Sequence, residues 1–135
     1  MKLRDAQQGD RFTLPATTVT RGMLALYAGA SGDHHPIHID LDAAKAAGFD
    51  DVFAHGMLSL AFLGRLLTDL APQPCLRQLD ARFISPTPIG AVVVCTAEVT
   101  EVARQADGKH IALALQAVDE LTGEARITGS AKFIV

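Results

Sequence analysis

The chain has 135 residues, 49% hydrophobic and 20% charged, with no low-complexity tract, a composition that excludes a disordered chain and fits one folded domain. Its 12 Lys and Arg against 15 Asp and Glu leave a net charge of −3 with the basic residues scattered, which argues against a nucleic-acid partner. The longest apolar run, Met57 to Ala71, is too short to span a bilayer and contains Arg65 and Asp69, so no membrane partner is expected.

No apolar segment follows Met1-Lys2-Leu3-Arg4-Asp5 as a secretory signal would require. Cys75 and Cys95 have neither metal-ligand spacing nor the pattern of a disulfide framework. Buried, reduced thiols in a cytoplasmic protein are the expectation.

In chain order, residues 10–19 read as a short strand and an extended lead-in. Thr20 is the natural N-cap of a helix through Ala30, with Met23, Leu24, Tyr27 and Ala28 on one face. Gly29 and Gly32 loosen its end. The chain then enters Ser31-Gly32-Asp33-His34-His35-Pro36-Ile37-His38, one carboxylate and three imidazoles in eight residues. Pro36 rules out regular helix there, because it lacks an N–H and restricts His35 to extended conformations.

A short helix over Asp42–Ala47 follows, capped by Asp40 or Asp42 and stopped by Gly48, then a loop from Phe49 to Ala54. From His55 or Gly56 a helix is predicted that is apolar almost all round, with Arg65 and Asp69 marking its one wet edge. Pro72 and Pro74 end it.

The period then switches to two. Leu76–Ile84 is a strand, closed by Ser85-Pro86-Thr87-Pro88. Cys95, Ala97 and Val99 alternate with polar residues, Asp107-Gly108 signals a hairpin, and Ile111, Leu113, Leu115 and Ala117 line one face of the next strand. Thr122-Gly123 makes a turn before a last strand that sets Ile127, Gly129, Ala131, Phe133 and Val135 against Arg126, Thr128, Ser130 and Lys132. Helices followed by strands joined through tight turns predict an α+β fold in a single domain over residues 1–135, with an antiparallel sheet of about five strands around the long helix. The exposed sheet edges suggest a homodimer.

Asp33 and His38 are five residues apart on a loop bent by Gly32 and Pro36, so their side chains can converge. A paired carboxylate and imidazole can take a proton from water and return one, each transfer contributing ~10²–10⁴-fold. An Asx-turn carboxylate beside a satisfied histidine is the structural alternative. Gly56 opens the apolar helix, where unpaired N–H groups favour an anionic oxygen, or simply allows a tight turn into it. Ser59 either hydrogen-bonds the backbone four residues back or faces a pocket. Tyr27 is suited to core or site. His34, His35, His38, His55, Asp33 and Asp40 could supply metal ligands, but no three of them stand out by spacing, so no metal is expected. Neither cysteine is next to a histidine, and Ser31 is not in a nucleophile elbow.

Tyr27 through Asp40, with Phe53-Ala54-His55-Gly56-Met57 downstream and Arg82-Phe83-Ile84-Ser85-Pro86 as a weaker third landmark, resembles the MaoC-like dehydratases, a family that includes the (R)-specific enoyl-CoA hydratases. The resemblance implies a hotdog fold, a dimer, no cofactor and an acyl-thioester substrate carried on coenzyme A or acyl carrier protein. It implies that Asp33 and His38 form a catalytic dyad holding the water that adds across a trans-2-enoyl thioester. Gly56 becomes the backbone oxyanion donor, with His55, Ser59 and Tyr27 lining the site. Where the family usually has Asn before the proline, this chain has His35; the family's hydroxyl on the long helix has only Ser59 as its counterpart. A hotdog thioesterase is the first rival, though the first three turns after Gly56 contain no Asp or Glu. A non-catalytic acyl-thioester-binding module is the second.

Overall fold

In the computed structural model, which describes residues 1–135, Thr20 caps helix α1 (Arg21–Ser31) by accepting the Met23 N–H at 3.2 Å. Gly32 ends the helix in the left-handed region, φ 77°, where a side chain would be strained, and donates to Ala28 O. Asp40, not Asp42, caps helix α2 (Leu41–Ala46), taking the N–H groups of Asp42 and Ala43.

Helix α3 (Gly56–Leu70) buries Leu58, Ser59, Leu63, Leu66, Leu67 and Leu70. The spacing puts these on one stripe, and each fully buried leucine contributes about 1.5–3 kcal/mol. The wet edge is wider than Arg65 and Asp69: Met57, Ala61 and Thr68 are exposed beside them. Met57 and Ala61 therefore depart from the all-round burial that the apolar pattern predicts.

The sheet has six strands, β1 (Arg11–Thr13), β2 (Thr17–Thr18), β3 (Leu76–Phe83), β4 (Val92–Gln105), β5 (Gly108–Asp119) and β6 (Ala125–Ile134). Every pairing is antiparallel, in the order β1-β4-β5-β6-β3, with β2 also on β4. The strand beyond the expected five comes from residues 10–19, which divide around Leu14-Pro15-Ala16 into two segments on the same neighbour. The β4–β5 turn is Ala106-Asp107, one residue before the predicted pair, with Gly108 already opposite Gln105 in the ladder.

Val93, Cys95, Ala97 and Val99 of β4, Ile111, Leu113, Leu115 and Ala117 of β5, and Ile127, Ala131 and Phe133 of β6 face α3 and form one core with its leucines. A helix wrapped by an antiparallel sheet is the hotdog arrangement. Burial pushes the Cys95 thiol up to about 12, leaving it an inert core group, while Cys75 is half-buried. Strand β3 differs from the other long strands. It pairs only with β6, is exposed along most of its length, and leaves Leu79, Phe83 and the adjoining Ile84 open. No helix is long and apolar enough to cross a membrane.

A buried ion pair connects the sheet to the site. Arg126 donates to Asp119 at 3.0 Å, and Asp119 also accepts the Val92 and Leu121 N–H groups. Arg126 further donates to Ser85 Oγ and Pro86 O, both at 3.0 Å, which pins the segment leading into Thr87.

Candidate active site

Between α1 and α2 the main chain has no regular ladder, and side chains bond it instead. Ser31 Oγ accepts the Asp33 N–H, Asp33 Oδ1 accepts the His35 N–H, and His35 Nδ1 accepts the Ile37 N–H, at 3.1, 3.1 and 3.2 Å. Each bond reaches two residues on, so alternate side chains hold the curve. It ends in a 3-10 turn, Pro36–His38, in which the His38 N–H donates to His35 O. This turn delivers the His38 ring inward; His34 and His35 stay exposed.

Two hydrogen bonds tie this loop to the start of α3. His38 Nδ1 donates to Phe53 O at 2.7 Å, and His55 Nε2 donates to Asp33 O at 2.9 Å. A carbonyl can only accept, so each bond assigns a tautomer: the neutral His38 ring keeps an unprotonated Nε2, the neutral His55 ring an unprotonated Nδ1. The two rings stack at 4.0 Å and 26°, and Tyr27 meets His55 edge-on at 4.8 Å. The two segments that the sequence singles out therefore meet, and Asp33, His38, His55 and Tyr27 lie together.

Burial pushes the His38 value below the ordinary 6.5; the bond to Phe53 opposes it, His55 reinforces it, and Asp33 opposes it. Asp33 is exposed, and the His35 N–H on its carboxylate holds it below the usual carboxylate range. Near neutral pH the pair is thus a carboxylate beside a neutral imidazole. No direct hydrogen bond joins them, and a carboxylate oxygen of Asp33 and ring nitrogens of His38 and His55 lie within 4.8 Å of one another. A water bridging Asp33 and His38 suits that separation.

The same three residues bring metal-ligand atom types within 4.8 Å of one another. Their geometry suits a metal poorly. Each histidine has one nitrogen committed to a carbonyl, and ring planes stacked at 4.0 Å and only 26° apart do not meet within ligand distance of both free nitrogens.

Gly56 is the first residue of α3 and exposed; the Leu58 N–H turns back to His55 O at 3.0 Å, while the Gly56 N–H has no intrahelical acceptor. The Phe83 ring lies over it so closely that a Cβ there would come within 3.0 Å. Ser59, one turn on, is buried and bonds Thr87 Oγ1 at 3.2 Å. Gly56, Ser59, Phe83, Thr87 and Ile127 line a cavity of about 270 Å³ beside the helix. Of the two alternatives for Ser59, the pocket-facing one holds, with Thr87 as its partner.

Three contributors escape a reading of the sequence. Phe53 acts through its carbonyl, which any residue has. Thr87 lies in a proline-flanked turn, and Arg126 on the polar face of the last strand. Proximity of the Ser85–Thr87 stretch to a site landmark was the one available signal.

The family described as "MaoC like domain" matches residues 5–120. An (R)-specific enoyl-CoA hydratase of Rhodospirillum rubrum is 34% identical over 98 residues, 71% of this chain and 67% of that one. The 3-hydroxyacyl-thioester dehydratase Z of Mycobacterium tuberculosis is 32% identical over 121 residues, 85% of this chain and 76% of that one. Among solved structures, unliganded R-hydratase PhaJ1 from Pseudomonas aeruginosa has a TM-score of 0.84 at 24% identity, covering 97% of this chain and 83% of its own. The (R)-hydratase from A. caviae involved in PHA biosynthesis has 0.83 at 24%, covering 98% of both. These structures share the fold, and the match over residues 5–120 carries the conclusion: the chain belongs to the MaoC-like dehydratase family.

Proposed function

We propose that the chain is a hydro-lyase, an (R)-specific enoyl-CoA hydratase and, in reverse, a 3-hydroxyacyl-thioester dehydratase. The observation that carries this reading is the juxtaposition of the ionised Asp33 carboxylate with a neutral His38 whose Nδ1 is committed to Phe53 O, which leaves Nε2 as the proton acceptor.

Water held between the two gives a proton to the pair as its oxygen bonds C3 of the trans-2-enoyl thioester. The C2=C3 π electrons move toward the thioester oxygen, which becomes an enolate. The Gly56 N–H stabilises that charge, and one such donor contributes ~10²–10³-fold. The pair then returns a proton to C2. Hydrogen and hydroxyl have added, the thioester carbonyl re-forms, and the dyad is back in its starting protonation state. Because one pair both takes and gives the proton, the two additions share a face.

His55 is assigned to bracing. Its Nε2–H is committed to Asp33 O and its ring backs His38, with Tyr27 behind it. Ser59 and the cavity beside α3 are assigned to the acyl chain. The thioester rides on coenzyme A or acyl carrier protein. A second copy of the chain pairs along β3, whose open edge and exposed Leu79, Phe83 and Ile84 support a homodimer. The unpaired thiols agree with a reducing, cytoplasmic setting.

Mixing the protein with crotonyl-CoA or a longer trans-2-enoyl-CoA tests the reading. The conjugated enoyl absorbance falls as (R)-3-hydroxyacyl product forms. Steady absorbance with release of free thiol would establish a thioesterase instead; the only carboxylate on α3 is Asp69, in its last turns. No change across an acyl-chain series would leave a binding module.

A further inference from the structure

The imidazole of His35 is part of the loop's framework. It accepts the Ile37 N–H at 3.2 Å, capping the 3-10 turn that ends at His38. Only an unprotonated Nδ1 can accept that bond, so the neutral ring carries its proton on Nε2. Protonation would put a second N–H on Nδ1, facing the Ile37 donor, and the bond would be lost. The imidazolium so released stands next to Asp33, whose carboxylate already holds the His35 main-chain N–H at 3.1 Å.

The titratable groups around His35 are few. Asp33 and His34 share its loop, His38 lies at a ring distance of 6.2 Å in the turn it caps, and His55 of α3 stacks behind His38. Asp33 is the one negative group among them, so a charged His35 is drawn toward the carboxylate and away from the turn.

We propose that His35 is a positioning residue: its neutral ring holds the turn that presents His38 to Asp33, and its protonation disengages the dyad as pH falls. The kinetic part of this inference rests on the hydratase reading; the hydrogen bond does not.

The test therefore has two arms. In ¹⁵N NMR of the full chain, the His35 ring is expected as the Nε2–H tautomer, with the Ile37 amide shift following the His35 titration. An Ile37 amide that ignores His35 overturns the inference, whatever the enzyme does. In the kinetic arm, His35→Ala lowers kcat/KM for crotonyl-CoA roughly tenfold on the alkaline plateau. His35→Asn, which keeps an acceptor that does not titrate, recovers it to within about threefold. The acid limb of log kcat/KM carries an additional, roughly tenfold drop in the wild type that His35→Asn lacks. Acid limbs of the same shape in the two proteins, or no rescue by Asn, overturn the inference. A wild type that hydrates nothing defeats the proposed function instead, and the NMR arm then decides the cap alone.

Discussion

The sheet and the loop from Ser31 to His38 are held together in opposite ways. Strands β4, β5 and β6 pair main chain to main chain along most of their length, so their ladder survives the loss of almost any one side chain. The loop is held by Ser31, Asp33 and His35 bonding successive amides, and by two histidines reaching across to and from α3. There the identity of each residue matters, and two of the groups that shape the site, His35 and His38, are imidazoles whose ring nitrogens take part in its hydrogen bonds. Stability and chemistry are therefore separable by mutation in this molecule.

The largest effects that sharpen the contrast lie in the loop. Asp33→Asn and His38→Ala are each expected to lower kcat by at least ~10²-fold with little change in the denaturant midpoint. Near-wild-type turnover in either would remove that residue from its role. The converse is Leu67→Ala in the core, fully buried on α3, which should cost about 2–5 kcal/mol in urea unfolding while the folded fraction keeps its kcat. Equal stability in Leu67→Ala would mean that the helix does not depend on the sheet as described.

His55→Phe keeps the stack but removes the donor to Asp33 O, and a roughly tenfold loss of kcat is expected. Retained kcat would make the bracing bond irrelevant. The pH dependence follows from His38. Its folded value lies below 6.5, so the basic form persists as pH falls past 6.5 and is lost only lower down. In His35→Asn, where the cap no longer titrates, the acid limb should therefore have its midpoint below 6.5. The unfolded chain takes up that proton first, so the stability tied to neutral His38 is present above 6.5 and declines as pH drops through the folded value. A midpoint above 6.5 would contradict the burial of the ring. Smallest is Gly56→Ala, whose methyl would press the Phe83 ring at 3.0 Å; a few-fold rise in KM is expected. An unchanged KM would place the substrate away from Gly56.

Much of this was legible before any coordinate. The alternation in β4, β5 and β6 and the leucines of α3 declare which faces are buried, because burial follows a period that the sequence displays directly. Thr20 and Gly32 announce the ends of α1 for an equally local reason. Less legible were the boundaries that depend on a neighbour. Residues 10–19 become two strands only because β4 is long enough to receive both, and Met57 and Ala61 are exposed because nothing in this chain covers that side of α3.

The site divides in the same way. Local pattern alone places Asp33 and His38 on a short proline-bent loop, a glycine at the start of the apolar helix, and the family's landmarks in order. Those are properties of neighbouring residues. Which nitrogen of His38 and of His55 carries the proton is settled in three dimensions. That is set by carbonyls 15 and 22 residues away in the chain, and a main-chain carbonyl leaves no trace in the residue type that bears it.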